Sequence, residues 1–140
     1  MRSFFVVKWN KDIIRAFLSD FDKNVRFNIC YYNSREKAMK IEHFKKAHEL
    51  HVKLCGELDD TTGSFVRTRL DTLIDDDGIS KLYLDMSELS FMDSTGIGVL
   101  IGRYKQLKSR GIPIYLQSPS PTVDRLLGLS GLYDIMFKVG

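Results

Sequence analysis

The residues whose types and spacing most clearly suggest a chemical role form a short polar segment, Asp93-Ser94-Thr95-Gly96, between two apolar stretches. Small polar side chains ahead of a helical apolar pattern predict a helix start, where backbone N–H groups lack partners and the dipole end is positive. A phosphate ester on Ser94 would bring a charge of about −1.5 to −2 to a position that tolerates anions. The segment therefore predicts a hydroxyl whose modification changes the surface without unfolding the domain. Taken alone, the same residues are also an ordinary helix cap.

Three glycines that follow suggest a second chemistry. Gly96, Gly98 and Gly102 superficially resemble a phosphate-binding loop, so a nucleotide-binding or phosphotransfer protein is the alternative hypothesis. The spacing is Gly-x-Gly-x-x-x-Gly, no acidic residue is suitably placed about 20 residues later, and no Lys-Ser or Lys-Thr pair follows. We therefore interpret Gly98 and Gly102 as allowing one helix face to lie close to a neighbouring element.

The other polar residues do not form a recognisable catalytic or metal-binding set. His48, His51 and Cys55 would suit a metal on a helix, but their segment alternates like a strand, which puts them on different sides. The aspartates of two predicted turns are interpreted as solvated, namely Asp59, Asp60, Asp75, Asp76 and Asp77. No Ser/His/Asp or Cys/His set stands out, so we predict no enzyme activity, no cofactor and no metal.

Regular elements that would hold these residues begin at Met39. Apolar periodicity predicts strands at 39–44, 50–56, 79–86, 112–117 and 134–139. Three helices are predicted between them, one ending near Ile74, one running from Asp93-Ser94 to a cap at Gly111, and one opening at 118–121 and stopped by Gly131. Alternating strands and helices imply crossovers and a parallel sheet, whereas the short turn makes the first two strands antiparallel. The prediction is an α/β domain with a mixed, mostly parallel sheet.

The same periodicity predicts which helix faces are buried. The second helix has an apolar stripe formed by Ile97, Leu100, Ile101, Tyr104 and Leu107. The third helix is expected to face inward with Val123, Leu126, Leu127 and Ser130.

Residues 1–38 have a different composition from the rest of the chain. All ten glycines and all three prolines follow residue 38, whereas eight of the sixteen aromatic residues precede it. A strand at 4–9, a helix at 11–21 and a strand at 25–32 are possible in this segment. We consider two hypotheses: an extension that packs its aromatic residues on the main domain or a partner, and a start site assigned too early, with Met39 as the initiator.

Charge and hydropathy exclude several classes of protein. A basic surface for nucleic acid would have to lie in residues 1–38, whose net charge is +4. Residues 39–140 have a net charge of −1, which argues against direct nucleic-acid binding as the main function. The longest apolar runs have only four or five residues, so we predict no membrane segment and no secretory signal. Cys30 and Cys55 are too few for a disulfide framework, and reduced thiols suggest a cytoplasmic location.

Several blocks of the sequence occur together in a fixed order, namely Gly56-Glu57-Leu58-Asp59, 89–96 with its Asp93-Ser94-Thr95-Gly96, 102–106, Ser118-Pro119 and 129–132. Together they resemble a known family, the anti-anti-sigma factors, which are bacterial members of the STAS domain family. The resemblance covers residues 39–140 and is strongest for the sporulation type. Residues 1–38 depart from the family, whose members usually start with the strand placed at Met39.

The resemblance implies a partner-switching regulator. In this family the unmodified protein binds an anti-sigma factor that is also a serine kinase, and the sigma factor is released. The kinase then phosphorylates the serine matching Ser94, the complex dissociates, and a PP2C-type phosphatase restores the unmodified form. By the same match, the expected docking residues are Asp59, Asp93, Thr95, Gly96 and Ile97. A general-stress factor of the same family is the alternative to the sporulation type.

Overall fold

Alternation of apolar and polar residues along the strands builds a sheet with one face toward a core. The structure, a computed structural model, describes residues 3–8, 28–33 and 38–140. In the central strand, Leu82, Leu84 and Met86 are buried, whereas Tyr83 and Asp85 point to the opposite face and are half-buried. The apolar face is covered by helices, and the buried side chains of both form a single core.

The described part of the chain has four strands in succession, and from the fourth strand onward helices alternate with the strands. The strands are β1 Ser3–Lys8, β2 Asn28–Asn33, β3 Ala38–Lys46, β4 Glu49–Leu58, β5 Lys81–Met92, β6 Ile114–Gln117 and β7 Phe137–Val139. The helices are α1 Gly63–Ile74, α2 Ser94–Lys108 and α3 Pro121–Leu129, followed by a 3-10 turn at Leu132–Asp134. The helix predicted at 11–21 lies outside the described residues.

The strands lie in the sheet in their chain order, β1 to β7. The pairs β1–β2, β2–β3 and β3–β4 are antiparallel, and the pairs β4–β5, β5–β6 and β6–β7 are parallel. Within residues 39–140 the first two strands are therefore antiparallel and the rest parallel, which confirms the predicted fold class. The two strands before Met39 extend the antiparallel side, and the Cys30 side chain of β2 is fully buried opposite Ile41.

In the five strands predicted from Met39 onward, most boundaries differ from the prediction by one or two residues, and two differ by more. β5 continues to Met92, although residues 87–91 were expected outside the strand, because two register shifts against β4 let the strand stay paired while its apolar spacing changes. The final strand was expected to start at Asp134, but the 3-10 turn occupies Leu132–Asp134 and only Phe137–Val139 pairs with β6.

The buried faces of two helices also differ from the prediction. In α2, Leu100 and Leu107 are buried, but Ile97, Ile101 and Tyr104 are only half-buried, since the helix is rotated so that Val99 and Arg103 enter the interior. Arg103 is accommodated because its Nε lies 2.9 Å from Asp71 Oδ1 of α1. In α3, Val123 and Leu127 are buried as expected, whereas Ser130 is exposed and its hydroxyl donates to the Leu127 carbonyl.

An aromatic row crosses the sheet face opposite the helices. Residues at one register level on five neighbouring strands stack with ring centroids 4.6 to 5.2 Å apart, in the order Phe44, His51, Tyr83, Tyr115 and Phe137. The spacing matches the distance between adjacent strands, which lets flat rings stack face to face. The row lies near the amino ends of the parallel strands.

Candidate functional site

The helix start predicted at Asp93-Ser94 is present, and Asp93 caps it. The backbone of Asp93 is extended, as is usual for the residue that caps a helix. Its side-chain Oδ1 accepts hydrogen bonds from the N–H groups of Thr95 at 2.9 Å and Gly96 at 3.4 Å. Ser94 is the first helical residue and is exposed. Because a carboxylate already serves as the cap, the Ser94 hydroxyl is free of a capping role and faces solvent.

Close packing beneath this segment explains the glycine at position 96. A Cβ added to Gly96 would lie 2.3 Å from Met92 Cγ and 3.0 Å from Leu58 Cγ, so a side chain there would force either the packed Met92 side chain or the helix itself to move. Thr95 packs against the start of α1, where a Cβ on Gly63 would lie 2.7 Å from Thr95 Cγ2. Gly96 therefore sets the depth at which Ser94 is presented.

The interpretation of Gly98 and Gly102 as close-packing residues is wrong. A Cβ added to either glycine would meet nothing within 4 Å, because this side of α2 faces away from the core. Ser94, Gly98 and Gly102 are spaced four residues apart and so lie along one side of the helix. Half-buried Ile97 lies next to them, so the exposed side of α2 combines a hydroxyl, two small residues and an apolar edge.

Asp59 lies at the same edge of the sheet but is buried. Its side chain is 2% exposed, and its Oδ1 accepts hydrogen bonds from Thr61 N at 2.9 Å, Thr61 Oγ1 at 2.7 Å and Thr62 N at 3.3 Å. Thr62 Oγ1 in turn donates to the Glu57 carbonyl at 2.7 Å. Asp59 thus shapes the loop that leads into α1, and the geometry favours a positioning role over the surface contact that was expected.

The two loops of this edge are joined directly. The Asp93 N–H donates to the carbonyl of Leu58 at 3.3 Å, so the end of β4 and the start of α2 are held side by side. The structure therefore brings Asp59, Asp93, Thr95, Gly96 and Ile97 together around Ser94. Gly96 is buried, Asp93, Thr95 and Ile97 are half-buried, and Ser94 is exposed.

One surface residue of this edge was missed by the sequence analysis. Phe91, three residues before Ser94, is 42% exposed at the end of β5. Residues 87–91 were expected to lie outside the strand, so Phe91 was not singled out as a surface contact; the available signal was the change from alternating to non-alternating apolar spacing at Ser90 and Phe91.

The residues considered for metal binding do not come together. His48 lies in an exposed turn with its Nδ1 2.8 Å from the Gly78 carbonyl, and His51 is stacked between Phe44 and Tyr83 in the aromatic row. Cys55 is buried, and burial raises the pKa of its thiol to about 12, with Glu88 adding to the shift. Within residues 3–8, 28–33 and 38–140 no three His, Cys, Asp or Glu side chains are grouped for a metal ion.

Comparison with known proteins decides the family. The STAS domain family model matches residues 39–140. The chain belongs to the STAS domain family. The similarity covers the strands β3 to β7 and the three helices that surround Ser94, and it confirms the resemblance stated from the sequence blocks.

Relatives of this STAS domain are named as antagonists of anti-sigma factors. The chain is 39% identical over 98 residues to the anti-sigma F factor antagonist of Paenibacillus polymyxa, covering 70% of this chain and 82% of the relative. It is 36% identical over 87 residues to the anti-sigma-B factor antagonist of Listeria monocytogenes, covering 62% and 75%. The solved structure of the anti-sigma factor antagonist SpoIIAA in its unphosphorylated form superposes with a TM-score of 0.62 at 29% identity, covering 73% of this chain and 88% of that one.

None of the helices in the part of the chain that the structure describes is both long and apolar enough to cross a membrane.

Proposed function

We propose that this STAS domain protein is an anti-sigma factor antagonist controlled by phosphorylation of Ser94. In its unmodified form it binds an anti-sigma factor that is also a serine kinase and so releases a sigma factor. A PP2C-type phosphatase reverses the modification, and the exchange takes place in the cytoplasm. The protein has no catalytic activity of its own and contacts no nucleic acid directly.

The observation that carries the proposal is the separation of cap and hydroxyl at the start of α2. Asp93 satisfies the first N–H groups, while Ser94 lies exposed on the same surface as Asp93 and Ile97. A phosphate there changes the outside of the domain and leaves the cap hydrogen bonds in place. The relatives named as antagonists, and a SpoIIAA structure described as unphosphorylated, support the same interpretation.

Free energies indicate the direction of the switch. Stabilisation of a phosphate by a helix N-terminus is worth only about 0.3–2 kcal/mol. An unpaired dianion in a desolvated protein contact costs several kcal/mol, enough to reduce affinity about a thousandfold. The penalty in the complex exceeds the gain in the free protein, so phosphorylation causes release.

The test uses two variants of Ser94 and the partner that co-purifies with the wild type from its native cells. Ser94→Ala is expected to bind the kinase with wild-type affinity and to accept no phosphate, because only the hydroxyl is removed. Ser94→Asp is expected to bind poorly, with an unfolding midpoint close to that of the wild type. Phosphate transfer to Ser94→Ala, located by mass spectrometry, would show that the acceptor has been assigned wrongly.

The sigma factor most consistent with the sequence is a sporulation factor. The relative named for sigma F has 39% identity and the relative named for sigma B has 36%, so general stress is the alternative within the same mechanism. Identification of the sigma factor that is freed when the unphosphorylated protein is added to the co-purified complex distinguishes the two.

A further inference from the structure

The pairing of β4 with β5 is interrupted close to Ser94. Gly56 pairs with Leu89 and Glu57 pairs with Phe91, which leaves Ser90 as an extra residue in β5. A β-bulge of this kind redirects the side chains that follow it and is common beside functional sites. The Ser90 hydroxyl donates to the Gly56 carbonyl at 3.0 Å, which fixes the bulge.

The bulge brings an aromatic ring to the surface. Leu89 and Met92 are buried on either side of it, whereas Ser90 and Phe91 are both exposed. The other large apolar side chains that are exposed among the described residues belong to the last twelve residues of the chain, namely Leu129, Ile135, Phe137 and Val139. We call the surface formed around Ser94 by the end of β4, the end of β5 and the start of α2 the Ser94 edge. Phe91 is the exposed aromatic residue of this edge, and half-buried Ile97 continues the apolar surface on α2.

The surroundings of Phe91 are acidic. The segments that form this edge, residues 54–66 and 88–102, contain no lysine or arginine. Glu57 lies opposite Phe91 in the sheet register, and exposed Asp60 and half-buried Asp93 follow β4 and β5. A complementary protein surface would combine an apolar pocket with a rim of lysine or arginine side chains.

We propose that Phe91 is the anchor through which the kinase partner docks, inserted into an apolar pocket that has a basic rim. The proposal rests on the function proposed for Ser94 and adds the residue that determines affinity. Exposed apolar patches rimmed by polar residues mark interaction sites, aromatic residues including phenylalanine are enriched in protein interfaces, and a few anchor residues supply most of the binding energy. The phenyl ring of Phe91 has no acidic, basic or nucleophilic group, so its loss is expected to weaken binding to the kinase and to leave the chemical step unchanged.

The experiment compares Phe91→Ala with Phe137→Ala, a matched exposed phenylalanine that is 56% exposed in β7. With the kinase that co-purifies with the wild type, Phe91→Ala is expected to weaken binding and to raise KM for Ser94 phosphorylation at least about 30-fold, with kcat unchanged. Phe137→Ala is expected to stay within about twofold of the wild type, a spread below the usual hot-spot threshold. An unchanged KM for Phe91→Ala, or a lowered kcat, would overturn the proposal.

Two measurements on the wild type make the test independent of how the variant folds. Hydroxyl-radical labelling of Phe91 is expected to fall on kinase binding while labelling of Phe137 does not, and equal labelling of Phe91 with and without kinase would refute the docking role. Association is expected to slow as salt is raised, because the charges at the rim steer the encounter. An association rate that does not depend on salt would rule out the basic rim.

The outcomes separate the two proposals. If the wild type accepts no phosphate at Ser94 from its partner, the proposed function fails. If the wild type is phosphorylated at Ser94 and Phe91→Ala is phosphorylated with the same KM, the function stands and only the docking residue is wrong.

Discussion

The Ser94 edge and the aromatic row show opposite ways of building a surface on one sheet. At the Ser94 edge, a carboxylate cap and a close-packed glycine hold the backbone in place, and the hydroxyl and Phe91 remain exposed. In the row, side chains on five strands stack on one another. Tyr83 and Met92 are nine residues apart on β5, which corresponds to roughly 30 Å. The comparison teaches that the surface offered to a partner is kept separate from side chains that stabilise the sheet.

The largest effect is expected from shortening the antiparallel side of the sheet. We propose that the strands before Met39 belong to the folded domain, because β2 pairs with β3 and contributes the buried Cys30 opposite Ile41. A chain that starts at Met39 is expected to lose on the order of 2–5 kcal/mol of unfolding free energy, since a core side chain and a paired strand are removed. Urea unfolding of the two chains measures the difference.

The full chain is the control for that truncation, and the N-terminal mass of the native protein tells whether Met39 is the initiator. Equal stability of the two chains would show that residues 1–38 contribute nothing to the fold, as the early-start hypothesis predicts.

Two glycines of α2 sharpen the comparison within the Ser94 edge itself. Gly96→Ala is expected to cost about 3 kcal/mol, because the added Cβ would lie 2.3 Å from Met92 Cγ in a packed core. At Gly98, two residues away, an added Cβ would meet no atom within 4 Å. Gly98→Ala is therefore expected to raise the free energy of unfolding by about 0.5–1 kcal/mol through its higher helix propensity. Opposite signs in urea unfolding are the expected result, and a comparable loss in both variants would contradict the packing role given to Gly96.

The smallest destabilisation is expected in the aromatic row. Tyr83→Leu removes the two stacking contacts with His51 and Tyr115 and is expected to cost about 1–2 kcal/mol. The kinetics of Ser94 phosphorylation by the native kinase are expected to stay the same, because the row is remote from that edge. A change in KM comparable with that of Phe91→Ala would show that the two regions are coupled.

Much of the fold followed from periodicity, because strands and helices with one buried face leave a regular apolar pattern. The helix start at Asp93-Ser94 was predictable for the same reason, since capping residues and the stripe that follows them are local signals. The rotation of α2 was not, because the burial of Arg103 depends on an ion pair with Asp71 in another helix. Leu100 fits both orientations of α2, so the pattern alone could not choose between them.

The site itself was predictable only in part. Asp59 was correctly placed near Ser94, but its burial depends on hydrogen bonds from Thr61 and Thr62 that a sequence motif does not reveal. The exposure of Phe91 arises from the bulge at Ser90, which is defined by pairing between two strands distant in sequence. The open side of Gly98 likewise reflects the absence of a neighbouring element there in the described chain.

The cap formed by Asp93 has a consequence for how long each form of the protein lasts. If Ser94 is phosphorylated as proposed, Asp93 caps the helix in both forms, so the free phosphorylated and free unmodified proteins are expected to resist proteolysis equally. For molecules outside the kinase complex, the proportion of the two forms would then follow the recent balance of the proposed kinase and phosphatase. The cap formed by Asp93 would in this way let the ratio of the two forms record earlier kinase and phosphatase activity.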